Sequence, residues 1–143
     1  MKKKDLNAYP EVVVDTGVWI EYFLETELGQ KFKEKIVENQ VSIYISETAV
    51  SEILYVFCRQ KGYQEAKKKI NMVLDGAEVI EGREIQMIAG KYKCERAISL
   101  SDCFTMAVSK STGFPALFKK EDEISQEINK KAFDTEIFFL EDI

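Results

Sequence analysis

Histidine is absent from this chain, and its three cysteines lie far apart with no paired spacing. Without histidine or paired cysteines, the sequence excludes zinc fingers, Cys-His nucleophiles and Ser-His-Asp triads. Two of the cysteines, Cys58 and Cys103, fall within apolar helical patterns. We therefore expect both to be small core residues of a protein in a reducing compartment.

Long hydrophobic runs are also missing, because no apolar stretch approaches the roughly 18 residues of a membrane span. The basic opening, residues 1–5, is not followed by the apolar core of a signal peptide. These absences predict a cytoplasmic protein with no membrane partner. The glycine fingerprints of Rossmann and P-loop nucleotide-binding proteins do not occur either.

Positive charge is in deficit, since the formal net charge is -5. This balance argues against a broad basic surface for nucleic acid, although it leaves room for a local basic groove. The 143 residues are 45% hydrophobic and 31% charged, which suits a soluble domain with a sizeable core. We expect one domain that spans residues 1–143.

Three consecutive valines at residues 12–14 predict a strand that is buried on both faces. Asp15 follows them directly, and apolar residues then recur at helical spacing over residues 18–23. A strand, an acid and a helix in this order are typical of the carboxyl edge of a parallel sheet, where open α/β folds bind ligands. A phosphoacceptor receiver domain is disfavoured, because it needs a pair of acids just after this strand.

Strands and helices alternate along the rest of the chain. Further strands are predicted at residues 41–46, 77–80, 116–118 and 137–140, and helices include residues 27–38, 64–74 and 83–92. This alternation predicts a three-layer α/β domain with a mainly parallel central sheet. The apolar face at residues 22–24 belongs either to the core or to a dimer interface.

Four acids occupy positions near the predicted strand ends and helix starts: Asp15, Glu52, Asp102 and Glu121. Each has an ordinary structural explanation, because first-turn acids cap helices and complement their dipoles. Asp102 also stands three residues after Ser99, a spacing close to that of a capping box. Because crossovers between parallel strands share one hand, all four acids are expected to collect along one edge.

Several carboxylates brought together repel one another, and a bound divalent cation usually neutralises this repulsion. Oxygen ligands without histidine or cysteine select hard ions, so Mg²⁺ or Mn²⁺ is the expected cofactor. Such a site suits the attack of water on a phosphodiester without any nucleophilic side chain.

Three segments resemble the acidic motifs of PIN-domain ribonucleases. They are Val13-Val14-Asp15-Thr16, residues 45–53 with Glu52, and Leu100-Ser101-Asp102 with Ala107 five residues on. Across residues 12–140 the chain looks most like the VapC-type toxins of type II toxin-antitoxin systems. The resemblance implies a three-layer α/β/α PIN-like fold in which Asp15, Glu52 and Asp102 bind the metal and Thr16 is the hydroxyl residue beside Asp15.

The fourth motif departs from the family pattern, which is usually Thr-x-Asp. Lys119-Lys120-Glu121 stands in its place, so the threonine is missing and the acid is Glu121, with Asp122 as a second candidate. The resemblance further implies an RNA substrate, an antitoxin protein and a homodimer. A non-catalytic PIN-like module that binds RNA or protein is the alternative function, because of the altered motif.

Phosphate contacts are a separate expectation, since neutralising the RNA backbone supplies most non-specific affinity. The candidates are the flanking Lys119 and Lys120 together with Arg59, Lys61, Arg96 and Lys110.

Overall fold

Five parallel strands form the central sheet of the structure, a computed structural model that describes residues 5–143. The strands are β1 Glu11–Val14, β2 Ser42–Ser46, β3 Ala77–Ile80, β4 Ala116–Phe118 and β5 Ile137–Phe139. Their order is β3-β2-β1-β4-β5, which places β1 in the centre. Val13 of β1 pairs with Tyr44 on one side and with Ala116 on the other.

Seven α-helices connect and flank these strands in the described residues. They are α1 Thr16–Phe23, α2 Glu27–Phe32, α3 Glu47–Lys61, α4 Tyr63–Gly76, α5 Arg83–Glu95, α6 Leu100–Thr112 and α7 Asp122–Lys130. The predicted helix at 27–38 ends as a π-helical turn, Lys33–Val37, and short 3-10 turns occupy Leu6–Ala8 and Leu140–Asp142. The basic residues 1–4 at the start of the chain lie outside the described part.

The sheet separates two hydrophobic cores, and β1 contributes to both. Val12 and Val14 face the core formed with α1 to α4, whereas Val13 faces the core formed with α5 to α7. All three valines are completely buried, and each such side chain contributes about 1.5–3 kcal/mol. The sequence prediction of a three-layer α/β/α domain is confirmed, and every strand pairing is parallel.

The cysteines follow the sequence expectation. Cys103 is buried in the second core, and Cys58 packs against the first. Burial raises the pKa of Cys103 to about 11, so its thiol stays neutral near pH 7. The apolar face at residues 22–24 also belongs to the core: Phe23 is buried, and Tyr22 and Leu24 pack against the same cluster.

A close approach joins α1 and α2. A Cβ added at Gly29 would lie 2.1 Å from the carbonyl oxygen of Glu21. Since no real side chain tolerates that distance, only glycine lets the two helices meet at this point. None of the helices in residues 5–143 is long and apolar enough to cross a membrane.

Candidate metal centre

The parallel sheet places one acid at the end of its central strand and others at the helices that start along the same edge. Asp15 follows the last residue of β1, and Glu121 stands three residues after β4. Asp102 lies in the first turn of α6, and Glu52 is the sixth residue of α3, which follows β2. The predicted collection of acids at one edge follows from this topology.

Asp15, Asp102 and Glu121 form a tight cluster, each offering one carboxylate oxygen within 4.8 Å of the others. Asp15 is 2% exposed and Asp102 is 4% exposed, whereas Glu121 is half-buried. Glu121 rather than Asp122 joins the cluster, because Asp122 begins α7 as an exposed side chain.

Glu52 lies outside that group but close to it. Its side chain is partly buried, and its negative charge helps to raise the pKa of each of the three clustered acids. Of the four predicted acids, three therefore form a cluster, and the fourth, Glu52, lies beside it.

The carboxylates of Asp15 and Glu121 are not used as helix caps. Each residue occupies the N-cap position of its helix, α1 or α7, yet neither side chain makes a capping hydrogen bond. Asp102 partly fits the capping-box interpretation, because its backbone N–H donates to Ser99 Oγ at 3.1 Å. Neither of the two N-cap carboxylates is therefore bound to the first turn of its own helix.

Burial and mutual repulsion hold the pKa values of the cluster above their ordinary range. Burial is the largest cause for Asp15, and the charge of Asp102 adds to it, while a hydrogen bond from Thr105 opposes both. Burial and Asp102 also raise the pKa of Glu121 from 4.5 to about 8. The pKa of Asp102 is raised by burial, although hydrogen bonds with Glu121 and Ser99 work against it.

This donor set fits a hard divalent ion. Two ionised carboxylates no more than 4.8 Å apart would repel each other by at least about 3 kcal/mol at an effective dielectric constant of roughly 20. The largest charge contributions to the three pKa shifts come from acids, including the exposed Glu123. Within the described residues, the buried Thr16 Oγ1 beside Asp15 also has no hydrogen-bond partner. Clustered oxygens with this excess of negative charge suit Mg²⁺ or Mn²⁺.

Comparison with known families identifies the fold around this cluster. Residues 12–131 match the PIN domain family. The chain belongs to the PIN domain family. No similar sequence was found among curated proteins.

Solved structures with the same PIN fold include toxins and toxin-antitoxin complexes. VapC20 of Mycobacterium tuberculosis, described as a sarcin-ricin loop cleaving toxin, has a TM-score of 0.67 at 17% identity and covers 80% of this chain and 93% of its own. DNA-bound VapBC from Salmonella typhimurium has a TM-score of 0.72 at 14% identity, covering 91% and 98%. VapBC-1 from nontypeable Haemophilus influenzae has a TM-score of 0.67 at 16% identity, covering 92% and 98%. The PIN domain is therefore VapC-like in fold.

Two of the basic residues proposed for phosphate contacts are engaged elsewhere in this PIN domain. Arg96 donates hydrogen bonds to three carbonyl oxygens, those of Glu127, Lys131 and Ala132, and its guanidinium lies 3.9 Å from the centroid of the Phe133 ring. Lys110 pairs with Asp134 at 3.3 Å. These contacts favour a structural role for the buried Arg96, whereas the Lys110–Asp134 pair is exposed.

The remaining candidate cations are also at least partly exposed. Lys119 pairs with Glu21 at 2.5 Å, and Lys120 pairs with Asp142 at 3.3 Å. The exposed Arg59 lies over the ring of Tyr55 at 5.1 Å from its centroid, and Lys61 is exposed on the same helix. The exposed Lys120–Asp142 pair contributes little to stability, whereas Lys119 pairs with a largely buried Glu21.

Sequence reasoning missed two residues of the centre, Thr105 and Glu123. Thr105 donates a hydrogen bond from its hydroxyl to Asp15 Oδ1 at 2.8 Å. Its place three residues after Asp102, on the same side of α6, is the signal that a helical-wheel argument could have used. Glu123, in the first turn of α7, adds negative charge that raises the pKa of Asp102 and Glu121.

Proposed function

We propose that this PIN domain is a metal-dependent endoribonuclease that hydrolyses RNA phosphodiesters. Asp15, Asp102 and Glu121 hold Mg²⁺ or Mn²⁺, and Glu52 completes the site. The observation that carries the proposal is the approach of three carboxylates to within 4.8 Å, although burial and repulsion raise the pKa of each. A protein tolerates such repulsion where a cation relieves it.

The four acids have different roles at the proposed metal site. When bound, the ion makes water a better nucleophile and offsets the charge that develops on the phosphate. Asp15 and Asp102 are the most buried acids, so they provide the fixed part of the ligand set. Burial and the charge of Asp102 raise the pKa of Glu121 to about 8, so binding of a cation here would be coupled to release of a proton near neutral pH. Glu52, beside the cluster, is left to orient the attacking water.

We further propose that the protein is the toxin of a toxin-antitoxin pair, that an antitoxin protein inhibits it, and that it forms a homodimer. The support is the likeness of its fold to VapC20, a toxin, and to VapBC complexes from two bacteria. RNA is proposed as the substrate on the same ground, and Lys119, Lys120, Arg59 and Lys61 are its candidate phosphate contacts.

The proposal is tested by incubating purified protein with structured and unstructured RNAs, with Mn²⁺ or with a chelator. Asp15→Asn removes a carboxylate of the cluster, and Asp122→Asn is the matched control because it removes an exposed acid outside it. We expect cleavage by the wild type and Asp122→Asn only when Mn²⁺ is present, and none by Asp15→Asn. Cleavage that survives both the chelator and Asp15→Asn excludes this mechanism.

A non-catalytic module that binds RNA or protein is the second candidate. It is motivated by Lys119, which stands where the family usually has threonine and is paired with Glu21. Calorimetric titration with Mn²⁺ separates the two candidates, since a pure binding module has no metal site for Asp102→Asn to remove.

A further inference from the structure

Given the proposed function, on which this inference rests, we infer that Thr105 is a positioning residue for the metal centre. Its hydroxyl holds Oδ1 of Asp15, so that the carboxylate keeps one orientation toward the cluster in which a divalent ion would be held. Thr105 acts through Asp15 and needs no contact with the ion or with RNA.

The contact is buried and well formed. Thr105 is completely buried, and its Oγ1 donates to Asp15 Oδ1 at 2.8 Å, across 90 residues of sequence. Asp102 belongs to the same helix, one turn earlier. A single rigid element, α6, therefore supplies one carboxylate of the cluster and fixes the orientation of another.

Asp15 needs such a support because, within residues 5–143, its carboxylate accepts no hydrogen bond other than the one from Thr105. Its backbone N–H donates to the carbonyl oxygen of Leu117, and its own carbonyl accepts from Val18 and Trp19, so the main chain is fixed. The side chain makes no capping bond, and the torsion that orients a carboxylate is broad. Repulsion from Asp102 and Glu121 would otherwise turn the group away from the cluster.

The hydroxyl of Thr105 does not need an acid to be satisfied. A helical threonine can donate to a carbonyl of its own preceding turn. Thr112, on the same helix, does this by donating to the carbonyl oxygen of Val108 at 2.7 Å. Thr105 instead donates to the carboxylate of another element, which is the arrangement expected of a hydroxyl that orients a ligand.

Two pairs of variants isolate the hydroxyl. Thr105→Val removes the donor at nearly constant volume, and Thr105→Ser keeps the donor without the methyl group. Thr105→Ala compared with Thr105→Ser differs by one oxygen atom, so this pair decides the matter if Thr105→Val fails to fold. Thr112→Val is the control for loss of a hydroxyl elsewhere on α6. Folding of each variant is checked by circular dichroism and thermal unfolding in a chelator.

The measurement is calorimetric titration of Mn²⁺ into each RNA-free protein. Loss of the groups that orient metal ligands typically weakens affinity by 10–100-fold. We expect Thr105→Val and Thr105→Ala to raise the Kd for Mn²⁺ by roughly 10-fold or more, and Thr105→Ser and Thr112→Val to stay within about twofold of the wild type.

Equal Kd values for the wild type and the folded variants without the hydroxyl would overturn the role of Thr105 while leaving the metal site intact. A lowered melting temperature without a change in Kd has the same meaning, because it marks a purely structural bond. If the wild type itself binds no Mn²⁺, both this inference and the proposed function are wrong.

Discussion

Replacing Glu121 by glutamine is expected to stabilise the metal-free protein near neutral pH. Burial and the charge of Asp102 raise the pKa of Glu121 from 4.5 to about 8, so the folded state resists its ionisation. Glutamine has no charge to suppress, and its amide can still donate a hydrogen bond to Asp102. The substitution therefore removes a cost of folding and keeps the local contacts.

The magnitude follows from the linkage between proton binding and folding. Between pH 4.5 and 8 the folded protein holds more protons on Glu121 than the unfolded chain does, so stability falls as the pH rises through this window. Each pKa unit is worth about 1.4 kcal/mol, which bounds the cost at pH 7 to about 3 kcal/mol. Glu121 is half-buried, and solvent screening reduces the expected gain to about 1 to 2 kcal/mol.

Urea unfolding in a chelator measures this gain at pH 7 and at pH 5. We expect Glu121→Gln to be more stable than the wild type at pH 7, with most of the difference gone at pH 5, where little of the cost has developed. Asp122→Asn is the matched control, since it removes an exposed acid one residue away and should leave stability nearly unchanged. Saturating Mn²⁺ should reverse the order of stability, because the wild type gains binding free energy at a site that the variant has weakened.

A Glu121→Gln protein less stable than the wild type at pH 7 would refute the reasoning, because the carboxyl would then be stabilising the fold. An equal gain from Asp122→Asn would also refute it, since general charge reduction would account for both.

Gly29→Ala is expected to lower the free energy of unfolding by about 3 kcal/mol, because a Cβ would lie 2.1 Å from the Glu21 carbonyl oxygen. Urea unfolding measures this loss, and unchanged stability would mean that α1 and α2 can move apart without cost. Arg96→Lys is expected to cost about 2 kcal/mol, since lysine cannot reproduce the three carbonyl contacts and the stacking on Phe133. The affinity of the same variant for single-stranded RNA, measured by fluorescence anisotropy without metal, should match that of the wild type; a clear loss would return Arg96 to the phosphate contacts. Lys120→Gln, by contrast, should weaken RNA binding several-fold at low salt and little at high salt, and an unchanged affinity at low salt would remove Lys120 from the interface.

The local pattern of apolar, β-branched and acidic residues was enough to predict the fold and the edge of the sheet at which the acids lie. The three valines at 12–14 are consecutive and β-branched, and the structure buries them between two cores as a central parallel strand requires. Once the sheet is parallel, strand ends share an edge, and the approach of Asp15, Asp102 and Glu121 follows from topology.

Contacts between distant parts of the chain could not be predicted in the same way. Thr105 and Asp15 are separated by 90 residues. The sequence around a threonine in an apolar helical pattern does not indicate which side chain its hydroxyl contacts. The sequence offers Arg96 as a phosphate contact because arginine neutralises an RNA backbone, whereas in the structure it donates to carbonyl oxygens in the last turns of α7 and just after it. The start of α7 at Asp122, which leaves Glu121 at the N-cap, lies within an uninterrupted run of charged residues that gives no boundary signal.

Calorimetric titration of Mn²⁺ into RNA-free wild type, Asp102→Asn and Asp122→Asn tests most directly whether the acidic cluster is a metal centre. We predict saturable binding to the wild type and to Asp122→Asn, and loss of that binding in a folded Asp102→Asn protein. Absence of binding to the wild type, or equal binding by all three proteins, would contradict the account.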